Sequence, residues 1–152
     1  MKILVYGYGN PGRQDDGLGI RLSEDLENWA HEKGIANVSF DTNYQLNAED
    51  ALEVSGNDVV IFADAAKNED ETFTFNPLKP ARKIAFTTHA MNPETVLALC
   101  DELYKKRPKA YMLSINGFKW EVAGKMTPGA ERNLSLAEEF LKQKLLNPET
   151  LV

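Results

Sequence analysis

The chain has little cysteine, little histidine and no long apolar stretch, and each shortage excludes a class of protein. Its 152 residues include one cysteine and two histidines, so no disulfide can form within the chain. No apolar run approaches the roughly 20 residues that a membrane-spanning helix requires. The opening run, 1–7, is too short and too soon interrupted for a signal peptide. We therefore expect a cytoplasmic protein without a membrane segment.

Positive charge is also scarce. The chain has 17 lysine and arginine residues against 23 aspartate and glutamate residues, which gives a net charge of −6 and a pI near 5.0. No block of basic side chains offsets this balance. An acidic chain of this kind is a poor electrostatic partner for nucleic acid or anionic lipid. We expect neither as a partner.

The remaining composition is that of an ordinary globular domain. Apolar residues make up 43% and charged residues 26% of the chain, and this length suits one domain, 1–152, with a single core. Strand-like apolar runs alternate with helical stripes. Strands are predicted near 3–6, 38–41, 59–63, 72–75, 83–87 and 111–115, and helices near 16–33 and 48–54, from 92 and from 127.

This order of elements predicts an α/β fold of three layers. We expect a mainly parallel, twisted sheet of about five strands, flanked by helices, of the phosphorylase/hydrolase-like kind. The alternating run 72–75 predicts an edge strand, because only one of its faces is apolar. No repeat, low-complexity segment or linker divides the chain.

Three separated segments place a metal-capable side chain where an apolar run stops. Asp16 follows the strand 3–6 through a glycine loop, Asp64 ends the run 59–63, and His89 follows the run that begins at Ile84. In an open α/β sheet, ligands bind beyond the carboxyl ends of the strands. If the three runs are parallel strands, these side chains converge there. Two carboxylates and one imidazole suit a transition metal with open coordination positions.

The glycine loop after the first strand admits three interpretations. Gly7, Gly9 and Gly12 match the dinucleotide-binding spacing, but Pro11 and the polar run 13–16 delay the helix that would face the phosphates. The loop also resembles the opening of peptidyl-tRNA hydrolases. That family has a histidine shortly after the loop, whereas residues 14–19 of this chain contain none. The acidic net charge of the chain also disfavours binding of tRNA. Both interpretations rank below the third.

The third resemblance is to the hydrogenase maturation proteases, endopeptidases that process nickel–iron hydrogenase large subunits. It covers nearly the whole chain, through the segments 7–10 with 15–19, 44–51, 61–65, 88–93 and 124–128. It maps the three metal ligands of that family onto Asp16, Asp64 and His89, and the first position is commonly Glu or Asp. One departure is the segment 41–46, where many members have a glycine-threonine loop.

The resemblance also implies a reaction and a partner. It implies removal of a short C-terminal extension from a hydrogenase large-subunit precursor after nickel has been loaded. Nickel would be carried by the substrate, and zinc or cadmium would substitute in vitro. The chain is expected to act as a monomer. The alternative is a non-catalytic metal-sensing binding or assembly module on the same fold.

Each candidate residue also has a structural interpretation. Asp16 or its neighbour Asp15 could cap the first helix, since aspartate is a favoured N-cap. Asp64 could organise a loop, and His89 could be a loop histidine. Asp15 is in addition a candidate general base, and Asn10 an accessory residue that bonds the local backbone. The single cysteine, on an apolar helical stripe, is predicted to be a buried hydrophobe.

Overall fold

The structure is a computed structural model that describes residues 1–67, 70–84 and 91–152. Within these ranges, the helices and strands are β1 Ile3–Tyr8, α1 Leu18–Lys33, β2 Val38–Asn43, α2 Asp50–Ser55, β3 Val59–Lys67, β4 Phe73–Leu78, α3 Pro93–Tyr104, β5 Lys109–Gly117 and α4 Pro128–Leu146. Short 3-10 helices lie at Gln14–Gly17 and Pro148–Leu151. Within these described ranges, no helix has the length and apolarity needed to cross a membrane.

The five strands form one sheet in the order β2-β1-β3-β5-β4. The first four are mutually parallel, and β4 runs antiparallel to β5 at the edge of the sheet. Parallel neighbours require crossover connections, which the intervening helices supply. The predicted α/β fold with a mainly parallel sheet is confirmed, and so is the edge position of the run 72–75.

The core lies in two layers, one on each face of the sheet. One face of the sheet packs against α1 and α4, and the other against α2 and α3. Successive residues of β1 alternate between the two layers, and both sets are fully buried. Strands buried on both faces have continuous apolar runs, which is why β1 and β3 were recognisable in the sequence.

Several helices begin or end at the capping residues that the sequence predicted. The side chain of Asn92 accepts a hydrogen bond of 2.8 Å from the Thr95 amide at the start of α3. Thr127 does the same for Ala130 at the start of α4, at 3.2 Å. Gly34 ends α1 with a left-handed φ of 69°. These caps satisfy backbone groups that the helices leave unpaired.

Three predicted elements differ from the structure. The strand predicted at 59–63 continues to Lys67, so Asp64 lies within β3 and not at its end. Helix α1 begins at Leu18 rather than near Asp16, without a side-chain cap, because residues 14–17 form a 3-10 turn whose carboxylates bond elsewhere. The predicted capping role of Asp15 or Asp16 is therefore wrong. The strand predicted at 83–87 falls mostly outside the described residues, and Lys83 and Ile84 are not in a strand.

The contact between α1 and α4 contains a pair of carboxyl groups. Glu138 of α4 shares a hydrogen bond with Asp25 of α1. Burial, then that hydrogen bond and the charge of Asp25, raise the pKa of Glu138 to about 8, although Lys142 and Arg21 partly oppose the rise. The folded state therefore binds a proton that the unfolded chain, with a glutamate pKa of 4.5, releases.

This pair predicts how stability changes with pH. The stabilisation is fully present below the unfolded pKa and is lost as pH rises through the folded pKa of about 8. We expect Glu138→Gln to flatten the fall in urea midpoint between about pH 5 and about pH 8. The exposed neighbour variant Glu139→Gln should retain the wild-type slope. Equal slopes for wild type and Glu138→Gln would contradict the prediction.

Candidate functional site

The glycine loop and the end of β3 meet at the carboxyl edge of the sheet. Gly7 of β1 is in register with Ala63 of β3. Gly19 of α1 packs against both strands so closely that an added Cβ would lie 2.7 Å from the Tyr8 carbonyl oxygen and would collide with the Ala63 carbonyl. This close approach brings the 3-10 turn 14–17, which carries Asp16, beside the residue that follows Ala63. The structure therefore brings Asp16 and Asp64 to one edge.

Asp64 is half-buried at this edge. Among the described residues it accepts one hydrogen bond, 2.8 Å from the Ala65 amide to Oδ1. Burial raises the pKa of Asp64 to about 7; the Ala65 hydrogen bond opposes the rise and the negative charge of Asp16 adds to it. A partly desolvated carboxylate beside another carboxylate is costly. A divalent cation between them would relieve both costs, so this donor set fits a metal.

Asp16 is positioned by the loop that precedes it. The Asn10 amide donates to Oδ2 of Asp16 at 2.9 Å, and the Asn10 side chain accepts from the Gly12 amide at 2.9 Å. The prediction that Asn10 bonds the local backbone is confirmed. Gly9 has a φ of 140° and an added Cβ there would collide with the Asp16 carbonyl. Only glycine permits both the backbone conformation and the approach.

Asp15 points away from Asp16 into a separate network. Its side chain is fully buried and accepts four hydrogen bonds, from the amides of Phe118, Lys119 and Thr127 and from the Thr127 hydroxyl, at 2.7, 3.1, 2.8 and 2.8 Å. Burial alone would raise the pKa of Asp15, but the hydrogen bonds from Thr127 and Phe118 outweigh it and lower the pKa. A buried carboxylate of lowered pKa is a poor proton acceptor, which argues against the predicted role of Asp15 as general base.

The third predicted ligand cannot be placed. His89 lies outside the described residues, so its role stays a prediction. Within the described ranges, no group of three histidine, cysteine or carboxylate side chains could hold a metal ion. The described part of the site therefore consists of the carboxylate pair Asp16 and Asp64. The third ligand that the sequence predicts, His89, lies outside the described residues.

Two residues that were not predicted lie next to the pair. Tyr8, the last residue of β1, is half-buried, and burial followed by the charges of Asp64 and Glu94 raises its pKa. Glu94 belongs to the first turn of α3. The alternation of side chains along a strand could have indicated the position of Tyr8, because Tyr8 faces the same layer as Leu4 and Tyr6. A phenol that keeps its proton can donate a hydrogen bond to a bound substrate.

Cys100 takes no part in this site. It is fully buried on α3, its thiol donates to the Ala51 carbonyl at 3.2 Å, and burial raises its pKa to about 11. A buried thiol that stays protonated is unreactive. The prediction of a buried hydrophobe is confirmed.

Comparisons with known proteins give a fold assignment. No family model and no curated protein matches this sequence. A [NiFe] hydrogenase maturation protease HycI from Thermococcus kodakarensis superposes with a TM-score of 0.75 at 17% identity, over 95% of this chain and 92% of that one. The hydrogenase maturating endopeptidase HybD from E. coli superposes with a TM-score of 0.70 at 22% identity, over 97% of this chain and 94% of that one. The chain has the fold of the hydrogenase maturation proteases.

A third solved structure, an endopeptidase from Escherichia coli, has a TM-score of 0.66 at 24% identity and covers 93% of this chain and 90% of that one. At identities of this size the likeness establishes the fold. The activity of such proteins needs its own support from the residues of this chain. The described residues of this chain that bear on that question are the carboxylates Asp16 and Asp64.

Proposed function

We propose that this chain is an endopeptidase that removes a C-terminal extension from the nickel-loaded large-subunit precursor of a nickel–iron hydrogenase. The observation that carries the proposal is the pairing of Asp16 and Asp64 on a fold shared with hydrogenase maturation proteases. The pair lies where open α/β sheets bind their ligands. Both carboxylates are half-buried, which suits an occupant of opposite charge.

Three side chains would hold the nickel that arrives with the precursor. Asp16 and Asp64 provide oxygen ligands, and His89 would provide a nitrogen ligand. Three protein ligands leave coordination positions open for the substrate. Nickel held by these residues would supply Lewis-acid chemistry at the scissile carbonyl. Zinc and cadmium accept the same ligand types and would substitute in vitro.

The protein's own residues would orient the precursor around that metal. The Tyr8 hydroxyl contacts Met112 Sδ at 4.0 Å, and the charges of Asp64 and Glu94 help to keep it protonated by raising its pKa. In the complex it would exchange the weak contact with sulfur for a hydrogen bond to the bound segment. Asn10 and Gly9 would hold Asp16 in place, through the 2.9 Å bond to Oδ2 and the close backbone approach. Positioning of this kind is a large part of catalysis by any hydrolase.

One observation favours the alternative function, a non-catalytic binding or assembly module. Asp15, the only general base suggested by the sequence, is buried and fully hydrogen-bonded. A metal-sensing binding or assembly module on this fold would need no base. Such a module would bind the metal-bearing precursor and leave it uncut.

Intact-mass spectrometry separates the two functions. The purified chain is incubated with the nickel-loaded large-subunit precursor of a hydrogenase from the same genome. We expect the precursor mass to fall by that of a C-terminal peptide, because the substrate metal activates the scissile bond. A stable complex without any change of mass would overturn the endopeptidase and favour the module. If the chain neither binds nor cleaves the precursor, both proposed functions are overturned.

A further inference from the structure

The connection between β5 and α4, residues 118–127, carries exposed apolar side chains beside the carboxylate site. Phe118 is 53% exposed and Val122 is 76% exposed, and Trp120 is half-buried between them. Strand β5 ends at Gly117, in register with Lys67 at the end of β3. The connection therefore leaves the sheet at the same edge as Asp64. Exposed apolar clusters of this kind mark interaction sites.

Hydrogen bonds to the glycine loop hold this connection in one conformation. Asp15 binds its first residues and Thr127, as described above. Further bonds of 3.0–3.2 Å join the two loops: Arg13 Nε to the Trp120 carbonyl, the Glu121 amide to Gln14 Oε1, Gln14 Nε2 to the Lys125 carbonyl, the Ala123 amide to the Gly12 carbonyl, and the Asp15 amide to the Lys119 carbonyl. A surface that is already ordered loses less entropy when it binds.

Exposed cations lie around the apolar side chains of this surface. Arg13, Lys67 and Lys119 are exposed around the apolar cluster, and Lys67 Nζ lies 4.9 Å from the centre of the Trp120 ring. Glu121 is the acidic residue of the connection. Asp70 and Glu71, which precede β4, reach the same edge of the sheet, because the Asn116 amide donates to the Thr72 carbonyl at 3.1 Å. The chain as a whole has a net charge of −6. Cations grouped around apolar side chains complement a partner that is acidic and apolar.

We propose that this docking surface, formed by Phe118, Trp120, Val122, Arg13, Lys67 and Lys119, binds an acidic segment with apolar side chains in the precursor. The inference rests on the proposed function, because the surface adjoins the site. Both are joined by the 3-10 turn 14–17, in which Asp15 bonds to the connection and Asp16 belongs to the site. A precursor held at both places gains affinity from the linkage of the two contacts. A second copy of this chain, itself acidic overall, and an anionic membrane are the competing occupants.

Nickel-free precursor is the probe that isolates this contact, because it presents the docking segment without the metal. We expect Lys119→Glu and Val122→Asp each to raise its Kd by about tenfold or more, and the wild-type Kd to rise with salt. Lys109→Glu lies at the opposite end of β5, and Leu146→Asp alters an exposed α4 side chain of 53% exposure. Both controls should bind as wild type does. All four changes are at exposed positions, and thermal unfolding verifies that each variant is folded.

The outcomes separate this inference from the proposed function. If nickel-loaded precursor is cleaved while all variants bind alike, the docking surface is overturned and the endopeptidase stands. If the two docking variants lose binding but no precursor is ever cleaved, the endopeptidase is overturned and the docking surface stands. If wild type does not bind precursor, and instead binds phosphatidylserine vesicles or itself through Lys119 and Val122, the proposed occupant is wrong.

Discussion

Replacing Asp16 or Asp64 by asparagine is expected to lower kcat/KM for the nickel-loaded precursor by roughly a thousandfold or more. Asparagine keeps the shape of the side chain but removes the charge that holds the metal. A Lewis acid at the scissile carbonyl contributes several kcal/mol to the transition state, and each 1.36 kcal/mol is tenfold in rate. His89→Ala should have a comparable effect. Variants that combine two of these three substitutions should lose little more kcat/KM than the single variants, because the residues act as a unit.

Two matched variants control for the general effect of removing a charge. Asp101→Asn removes a carboxylate whose partner is the exposed Arg107, 2.9 Å away near the end of α3. His31→Ala removes the other histidine, which is exposed in the last turn of α1. Both should process the precursor at the wild-type rate. Wild-type processing by Asp16→Asn or Asp64→Asn, measured by the same mass assay, would remove the metal pair from the mechanism.

Replacing Asp15 by alanine is expected to reduce the free energy of unfolding by about 3–5 kcal/mol, since it leaves several buried donors without an acceptor. The amides of Phe118, Lys119 and Thr127 and the Thr127 hydroxyl all lose their partner. The tie between the glycine loop and the 118–127 connection is lost with them. Urea denaturation followed by circular dichroism measures the effect.

The neighbouring residue supplies the control for this prediction. Among the described residues, Asp16 accepts one side-chain hydrogen bond, from the Asn10 amide at 2.9 Å, and Asp16→Ala should cost about 1 kcal/mol. Asp15→Asn keeps one acceptor oxygen and should fall between the two. An Asp15→Ala variant as stable as Asp16→Ala would show that the buried network contributes little. The docking surface would then have to be held by other contacts.

Most of the fold was predictable because its determinants are local. The continuous apolar runs of β1 and β3 follow from burial on both faces of a parallel sheet. Asn92 and Thr127 act as caps through bonds to residues three positions away. The start of α1 was not predictable, because the partners of Asp15 are 103 to 112 residues distant in sequence. No local pattern distinguishes such a carboxylate from an N-cap.

The site was predictable to the extent that strand ends determine it. Asp16 follows β1, and Asp64 lies in β3 directly after the last residue that pairs with β1, so the pairing of these neighbouring parallel strands brings them to one edge. The electrostatic effect of Glu94 on Tyr8 depends on how α3 is placed relative to β1, and the sequence shows no sign of that placement. Glu94 has the ordinary pattern of an acidic first turn. The role of His89 stays a prediction.

The dependence of cleavage on the nickel carried by the substrate tests the central claim most directly. Wild-type chain is incubated with the same precursor in nickel-loaded and nickel-free form, and the intact masses are followed over time. If Asp16, Asp64 and His89 recognise the bound metal, the nickel-loaded precursor loses its C-terminal peptide and the nickel-free precursor keeps it. Cleavage of both forms at equal rates, or of neither, would contradict the claim.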